Sequence, residues 1–123
     1  MPRSHHLSFD SVPGFPIEGT LTLISGKWKG VILFLLLTND KLRFNELKRR
    51  LPGITHRMLT NQLRELEADG IVLREVHAEV PPRVEYSLSD MGVSLEPVIT
   101  ALKTWGALHF GKDRPPARLQ KVS

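Results

Sequence analysis

The sequence predicts a mainly α-helical domain carrying one small β-hairpin in its C-terminal half. Three observations predict it. Apolar residues recur at spacings of three and four through most of the chain, one stretch after Gly70 alternates apolar and polar residues instead, and 123 residues suit a single core.

Residues 1–15 hold prolines, a glycine and the pair His5-His6 without apolar periodicity, which predicts a flexible arm. Ile17, Leu21 and Ile24 then recur at helical spacing until Ser25-Gly26 interrupts them. Trp28, Val31, Ile32 and Leu35 begin a second, more apolar helix that Asn39-Asp40 closes. Phe44, Leu47 and Leu51 mark one face of a third, short helix, and Pro52-Gly53 forces a turn behind it. Thr55 is a suitable N-cap, since its hydroxyl can accept a hydrogen bond from a first-turn N–H; the helix it opens runs to Gly70.

Ile71 to His77 and Arg83 to Leu88 are rich in Val and Leu, and Val84, Tyr86 and Leu88 alternate with polar neighbours. They read as a hairpin whose loop holds Pro81-Pro82, two residues without backbone donors. Ser89 caps a last helix carrying Leu95, Val98, Ile99, Leu102, Trp105 and Leu108 as a wide apolar stripe, with a kink expected at Pro97. Residues 111–123, with Lys112, Arg114, Pro115-Pro116, Arg118 and Lys121, read as a basic, disordered tail. The folded domain is therefore expected over 16–110.

Charge and composition narrow the function. Seventeen basic and thirteen acidic residues give a net charge of +4, and the excess is concentrated. Lys41, Arg43, Lys48, Arg49, Arg50, Arg57 and Arg64 are opposed between residues 41 and 64 only by Glu46. Cysteine is absent, which excludes disulfides, thiolate zinc sites and thiol-based redox sensing. His5, His6, His56, His77 and His109 show no ligand-like spacing, so neither a metal nor another cofactor is expected. Glu65 and Glu67 lie roughly 160° apart around their helix, and no phosphate loop or nucleophile elbow is present, so no enzyme is expected. The first fourteen residues do not resemble a signal peptide, and the apolar run Val31 to Leu37 is far shorter than the ~20 residues a membrane span needs. A cytoplasmic protein without a membrane partner is expected.

Two short helices joined by a tight turn and followed by a hairpin is the order of a winged helix-turn-helix, whose second helix enters the major groove of double-stranded DNA. Along that helix Leu59, Leu63 and Leu66 share one side, while Arg57, Asn61 and Arg64 share the other and Thr60 flanks them. Arginine can pair with guanine, asparagine with adenine, and threonine can touch a thymine methyl. The same residues would also suit a solvated face; the flanking turn, basic stretch and hairpin favour base reading. Thr55 and His56 stand at the helix N-terminus, where a phosphate oxygen is favoured, although His56 can equally be a merely exposed residue. Arg43, Lys48, Arg49 and Arg50 are candidates for backbone contacts, although on a short helix some must face solvent. Arg83 is a candidate for the minor groove, with Arg74 or His77 as weaker ones, although Arg74 and Arg83 equally suit cross-strand pairs with Glu75 or Glu85. Trp28 and Trp105 lie on apolar stripes and read as packing residues.

Five motifs stand in order along the chain: Ser-Gly-Lys-Trp at 25–28, Leu-Arg-Phe-Asn-Glu-Leu at 42–47, Leu-Pro-Gly-Ile-Thr-His-Arg-Met-Leu-Thr at 51–60, Leu-Arg-Glu-Leu-Glu-Ala-Asp-Gly at 63–70 and Glu-Val-Pro-Pro-Arg-Val-Glu-Tyr-Ser-Leu at 79–88. On these the chain, over about residues 16–110, shows a resemblance to the HxlR-type family of winged helix-turn-helix transcriptional regulators, which are MarR-like. The resemblance implies a bacterial homodimer built from the terminal helices, bound to pseudo-palindromic operator DNA, with 55–64 as recognition segment and Arg83 on the wing. Ile17, Leu21, Ile24, Leu95, Val98, Leu102, Trp105 and Leu108 are the expected dimer interface. Family members commonly carry a Cys-Pro pair before the first helix; Phe15-Pro16 stands here, so thiol sensing is excluded and the signal is left open, an unidentified small-molecule effector being one candidate. The alternative is a winged-helix module that binds protein rather than specific DNA.

Overall fold

The computed structural model describes residues 12–111. The arm and tail expected over 1–15 and 111–123 otherwise lie outside the described residues, as do His5, His6 and the tail's basic residues. Helix α1 spans Phe15–Ile24, with Pro16 near its start where no backbone donor is needed. Helix α2 spans Lys29–Thr38, and the two meet at 79°. Between them Trp28 takes a left-handed conformation, φ 74°, uncommon for a bulky residue, while its side chain packs against the core. No single described helix is long and apolar enough to cross a membrane, and α2 turns Ile32, Leu33 and Leu36 into the core.

The next elements are strand β1 (Leu42–Arg43), helix α3 (Phe44–Arg50) and helix α4 (His56–Ala68). Strands β2 (Val72–His77) and β3 (Arg83–Leu88) form the expected hairpin. Instead of two strands, the sheet has three in the antiparallel order β1-β3-β2, because Leu42 and Arg43 pair with Tyr86 and Glu85. This extra strand anchors the base of the wing to the start of α3.

The last helix also departs from expectation. Ser89 caps a short helix, α5 (Asp90–Val93), accepting from the Gly92 N–H at 3.1 Å, and a separate helix, α6, spans Glu96–Phe110. Pro97 is therefore no kink: it occupies the second position of a new helix, where its missing N–H leaves no bond unmade. Gly92 fixes how closely α5 packs. A Cβ there would overlap the Ile71 carbonyl oxygen and lie 3.1 Å from Leu88, so α5 rests directly on the backbone that enters the wing. Gly92→Ala is expected to lower stability by about 3 kcal/mol, the upper end for overpacking, and to shift the urea midpoint without changing its slope.

The core joins all these elements. Ile32, Leu33 and Leu36 of α2, Leu47 of α3, Leu59, Leu63 and Leu66 of α4, Ile71, Val72 and Tyr86 around the sheet, and Ile99 of α6 are buried together. Ile24 belongs to this cluster, its side chain covered within the protomer. Leu95 and Val98 are partly buried against the same core.

Candidate nucleic-acid interface

Helix α4 begins as its sequence dictates. Thr55 is extended, and its Oγ1 accepts from the Met58 N–H at 3.0 Å. Leu59, Leu63 and Leu66 bury one side, whereas Arg57, Asn61 and Arg64 are exposed on the other and Thr60 is half-buried between them. Neither Arg57 nor Arg64 forms an ion pair among the described residues, so both guanidinium groups keep their donors for a ligand. The first turn contains no acidic residue to oppose an approaching phosphate.

The elements behind α4 fix its position. Leu47, Leu51 and Ile54 seat α3 and the turn on its buried side. Phe44 of α3 tilts its ring against His56, with centroids 4.6 Å apart, and the His56 Nδ1 lies 3.5 Å from the Thr60 hydroxyl. His56 is thus exposed yet positioned. On the opposite flank, Lys29 at the start of α2 is buried and donates to Glu65 of α4 at 2.6 Å. Gly26 leaves room for that side chain, since a Cβ would stand 2.8 Å from the Lys29 Cδ and 3.0 Å from the Gln62 Oε1. The Ser-Gly-Lys-Trp segment is therefore a bracket for α4, a role its isolated sequence did not reveal.

Facing α4 across a cleft of about 520 Å³ stands the wing. Phe44, His56, Thr60, Arg64, Glu67, Arg74 and Tyr86 line this cleft, which brings Arg64 and Arg74 to one opening. Arg74 was the weaker sequence candidate on the wing. Arg83, the stronger one, is half-buried and bound to Glu79 at 3.0 Å, not to Glu75 or Glu85. It lines a second cleft with Arg43 and Arg49 at the wing's tip. Lys48 is half-buried, while Arg43, Arg49 and Arg50 are exposed; Arg49 thus joins the basic rim beside Arg43.

The outer face of the wing is charged. Lys41 lies 3.2 Å from Glu75, whose hydrogen bond and charge raise the ammonium's pKa above its ordinary value. His77 lies 2.8 Å from Glu85 and holds that carboxyl below its ordinary range through their hydrogen bond.

A helix with an apolar back and a basic, amide-bearing front, set on a short helix and turn and flanked by an antiparallel hairpin, defines a winged helix-turn-helix. The match to known proteins agrees. Residues 23–114 match the family model described as HxlR-like helix-turn-helix, and the chain belongs to this family. It is 54% identical over 107 residues to the HTH-type transcriptional regulator YdeP of Bacillus subtilis (strain 168), covering 87% of this chain and 81% of that one. It is 60% identical over 93 residues to the HTH-type transcriptional regulator YybR of the same organism, covering 76% and 74%. Among solved structures, the redox regulator HypR in its oxidized form superposes with a TM-score of 0.72 at 55% identity, covering 76% of this chain and 96% of that one. The chain is a DNA-binding transcriptional regulator of the helix-turn-helix type and not an enzyme.

Proposed function

We propose that the protein is a homodimer that binds pseudo-palindromic double-stranded DNA in the cytoplasm, reading base edges with Arg57, Thr60, Asn61 and Arg64. The observation that carries this reading is the exposed face of α4, whose arginines have no ion-pair partner among the described residues. Thr55 and the helix N-terminus supply a phosphate contact, and Arg43 at the end of β1 and Lys48 of α3 add backbone contacts, with Arg83 at the wing tip.

Dimerisation is supported by apolar side chains left on both terminal helices. Ile17 and Leu21 of α1 are exposed, as are Leu102, Trp105 (56%) and Leu108 (77%) of α6. Trp105 stacks on His109 at 3.9 Å and meets Phe110 edge-on at 5.6 Å, forming a broad apolar surface. Joining two such surfaces would set two α4 helices about one turn of DNA apart, ~34 Å, facing inverted half-sites.

Sedimentation of the full chain at micromolar concentration is expected to give a dimer. Trp105→Asp with Leu108→Asp should give a folded monomer whose affinity for a two-half-site duplex is lower by at least about a hundredfold, since the linkage between sites is lost. Wild-type DNA affinity should fall steeply with added salt. A wild-type monomer, or DNA binding that ignores salt, would overturn the proposal.

A further inference from the structure

The outer face of the wing sets two like charges opposite each other. Glu75 on β2 and Glu85 on β3 are direct cross-strand partners, an arrangement that destabilises a sheet unless a cation compensates it. His77, two residues beyond Glu75, projects from the same face. Its Nε2 lies 2.8 Å from the Glu85 Oε1 and 3.6 Å from the Glu75 Oε1, and all three donor atoms fall within 4.8 Å of one another. The histidine and Glu85 are not freely solvated, with side chains 24% and 19% exposed.

Two donors two residues apart on one strand, with a third directly opposite, form a ligand set whose spacing the hydrogen-bond register enforces. Tetrahedral coordination at ordinary metal–nitrogen and metal–oxygen lengths separates neighbouring donors by about 3.3 Å. The 2.8 and 3.6 Å separations bracket that value. We propose that Glu75, His77 and Glu85 form a divalent-cation site on the wing, one imidazole and two carboxylates suiting Zn²⁺, with the fourth position open to solvent.

The surrounding charges fit this assignment. Lys41, 3.2 Å from Glu75, is the cation that a metal would displace, while Arg83 is engaged by Glu79. Arg43, opposite Glu85 on β1, is the remaining basic neighbour on this face. A metal would cross-link β2 to β3 on the face of the wing opposite the α4 cleft, and would give a regulator without cysteine a non-thiol input. That regulatory meaning rests on the DNA-binding function proposed above; the site itself does not.

Metal binding is therefore tested without DNA. Co²⁺ titrated into the full chain is expected to give saturable visible absorption at one ion per chain, displaced by Zn²⁺. Removing a direct ligand should cost at least as much as the loss of an outer-sphere partner, so His77→Ala and Glu85→Gln should each weaken binding by at least about tenfold. Glu85→Gln preserves shape and keeps the test decisive if His77→Ala misfolds. His5→Ala with His6→Ala should leave the titration unchanged. The absence of saturable Co²⁺ binding would overturn the proposal, as would binding that is lost with His5 and His6 but survives Glu85→Gln. DNA affinity of metal-free protein, measured separately, distinguishes failure of the metal site from failure of the DNA reading.

Discussion

Arg57→Ala combined with Arg64→Ala is expected to cost about 2–6 kcal/mol of discrimination between preferred and unrelated DNA, roughly 30-fold to above 10⁴-fold, at about 1–3 kcal/mol for each bidentate contact. The expectation follows from where the side chains stand. Both are exposed on α4, opposite the buried Leu59, Leu63 and Leu66, so truncating them opens no cavity and leaves no buried partner unpaired. Folding stability should accordingly change by less than about 0.5 kcal/mol, as for other surface substitutions.

The measurement is a comparison of two duplexes: one selected by the wild-type protein from a random pool, and one of unrelated sequence. Losing base contacts should erase the preference while leaving weak, salt-sensitive binding to both. Lys48→Ala provides the contrasting pattern, weakening both duplexes by a similar factor and lowering the salt slope by about one. If the double variant still preferred the selected duplex by the wild-type ratio, α4 would not be reading bases through this face.

That face was legible because its information is local. Three leucines at helical spacing define the buried side of α4, and Arg57, Asn61 and Arg64 fall on the other side, although Gln62 is buried beside the leucines. The Thr55 cap was legible for the same reason, since its partner, Met58, is three residues away. Strand β1 was not. Two residues carry no periodicity, and Leu42 and Arg43 acquire strand geometry from Tyr86 and Glu85, more than forty positions later. The break between α5 and α6 was hidden differently: Ser94 and Leu95 keep near-helical dihedrals, so the apolar stripe reads through the interruption.

Partners on the wing show the limit most clearly. Counting along the strands offers Glu75 or Glu85 to Arg83, but the register sets Arg83 opposite His77, and its guanidinium reaches back to Glu79 in the hairpin loop. His77 and Glu85 meet for the same reason. Five histidines with no ligand spacing argued against a metal site, yet an antiparallel register brings one of them between two carboxylates. Spacing along a chain reports helical and same-strand neighbours; it is silent about cross-strand ones.

Lys29 and Glu65 are separated by 36 residues and lacked any local signal, and their removal is expected to be strongly asymmetric. The Lys29 side chain is 6% exposed and the Glu65 side chain 59%, with 2.6 Å between Nζ and Oε1. Glu65→Ala would leave an ammonium group in the crowded space beside Gly26 and Gln62 with its acceptor gone. Stranding a buried charge costs about 3–5 kcal/mol; the lower end, about 3, is expected because water reaches the exposed carboxylate side of the pair. Lys29→Met keeps most of the aliphatic volume, removes the desolvated charge and returns Glu65 to water, so a loss of about 1 kcal/mol or less is expected. Adding Glu65→Ala to Lys29→Met should then cost little more, because the charge that needed the carboxylate is gone. Urea denaturation of the four proteins measures this coupling directly. Because Glu65 shares α4 with Arg57 and Arg64, the single Glu65 variant should also bind selected DNA more weakly than Lys29→Met does. Equal losses from the two single substitutions, or simple additivity in the double, would show that the pair does not hold α4 against the α1–α2 junction.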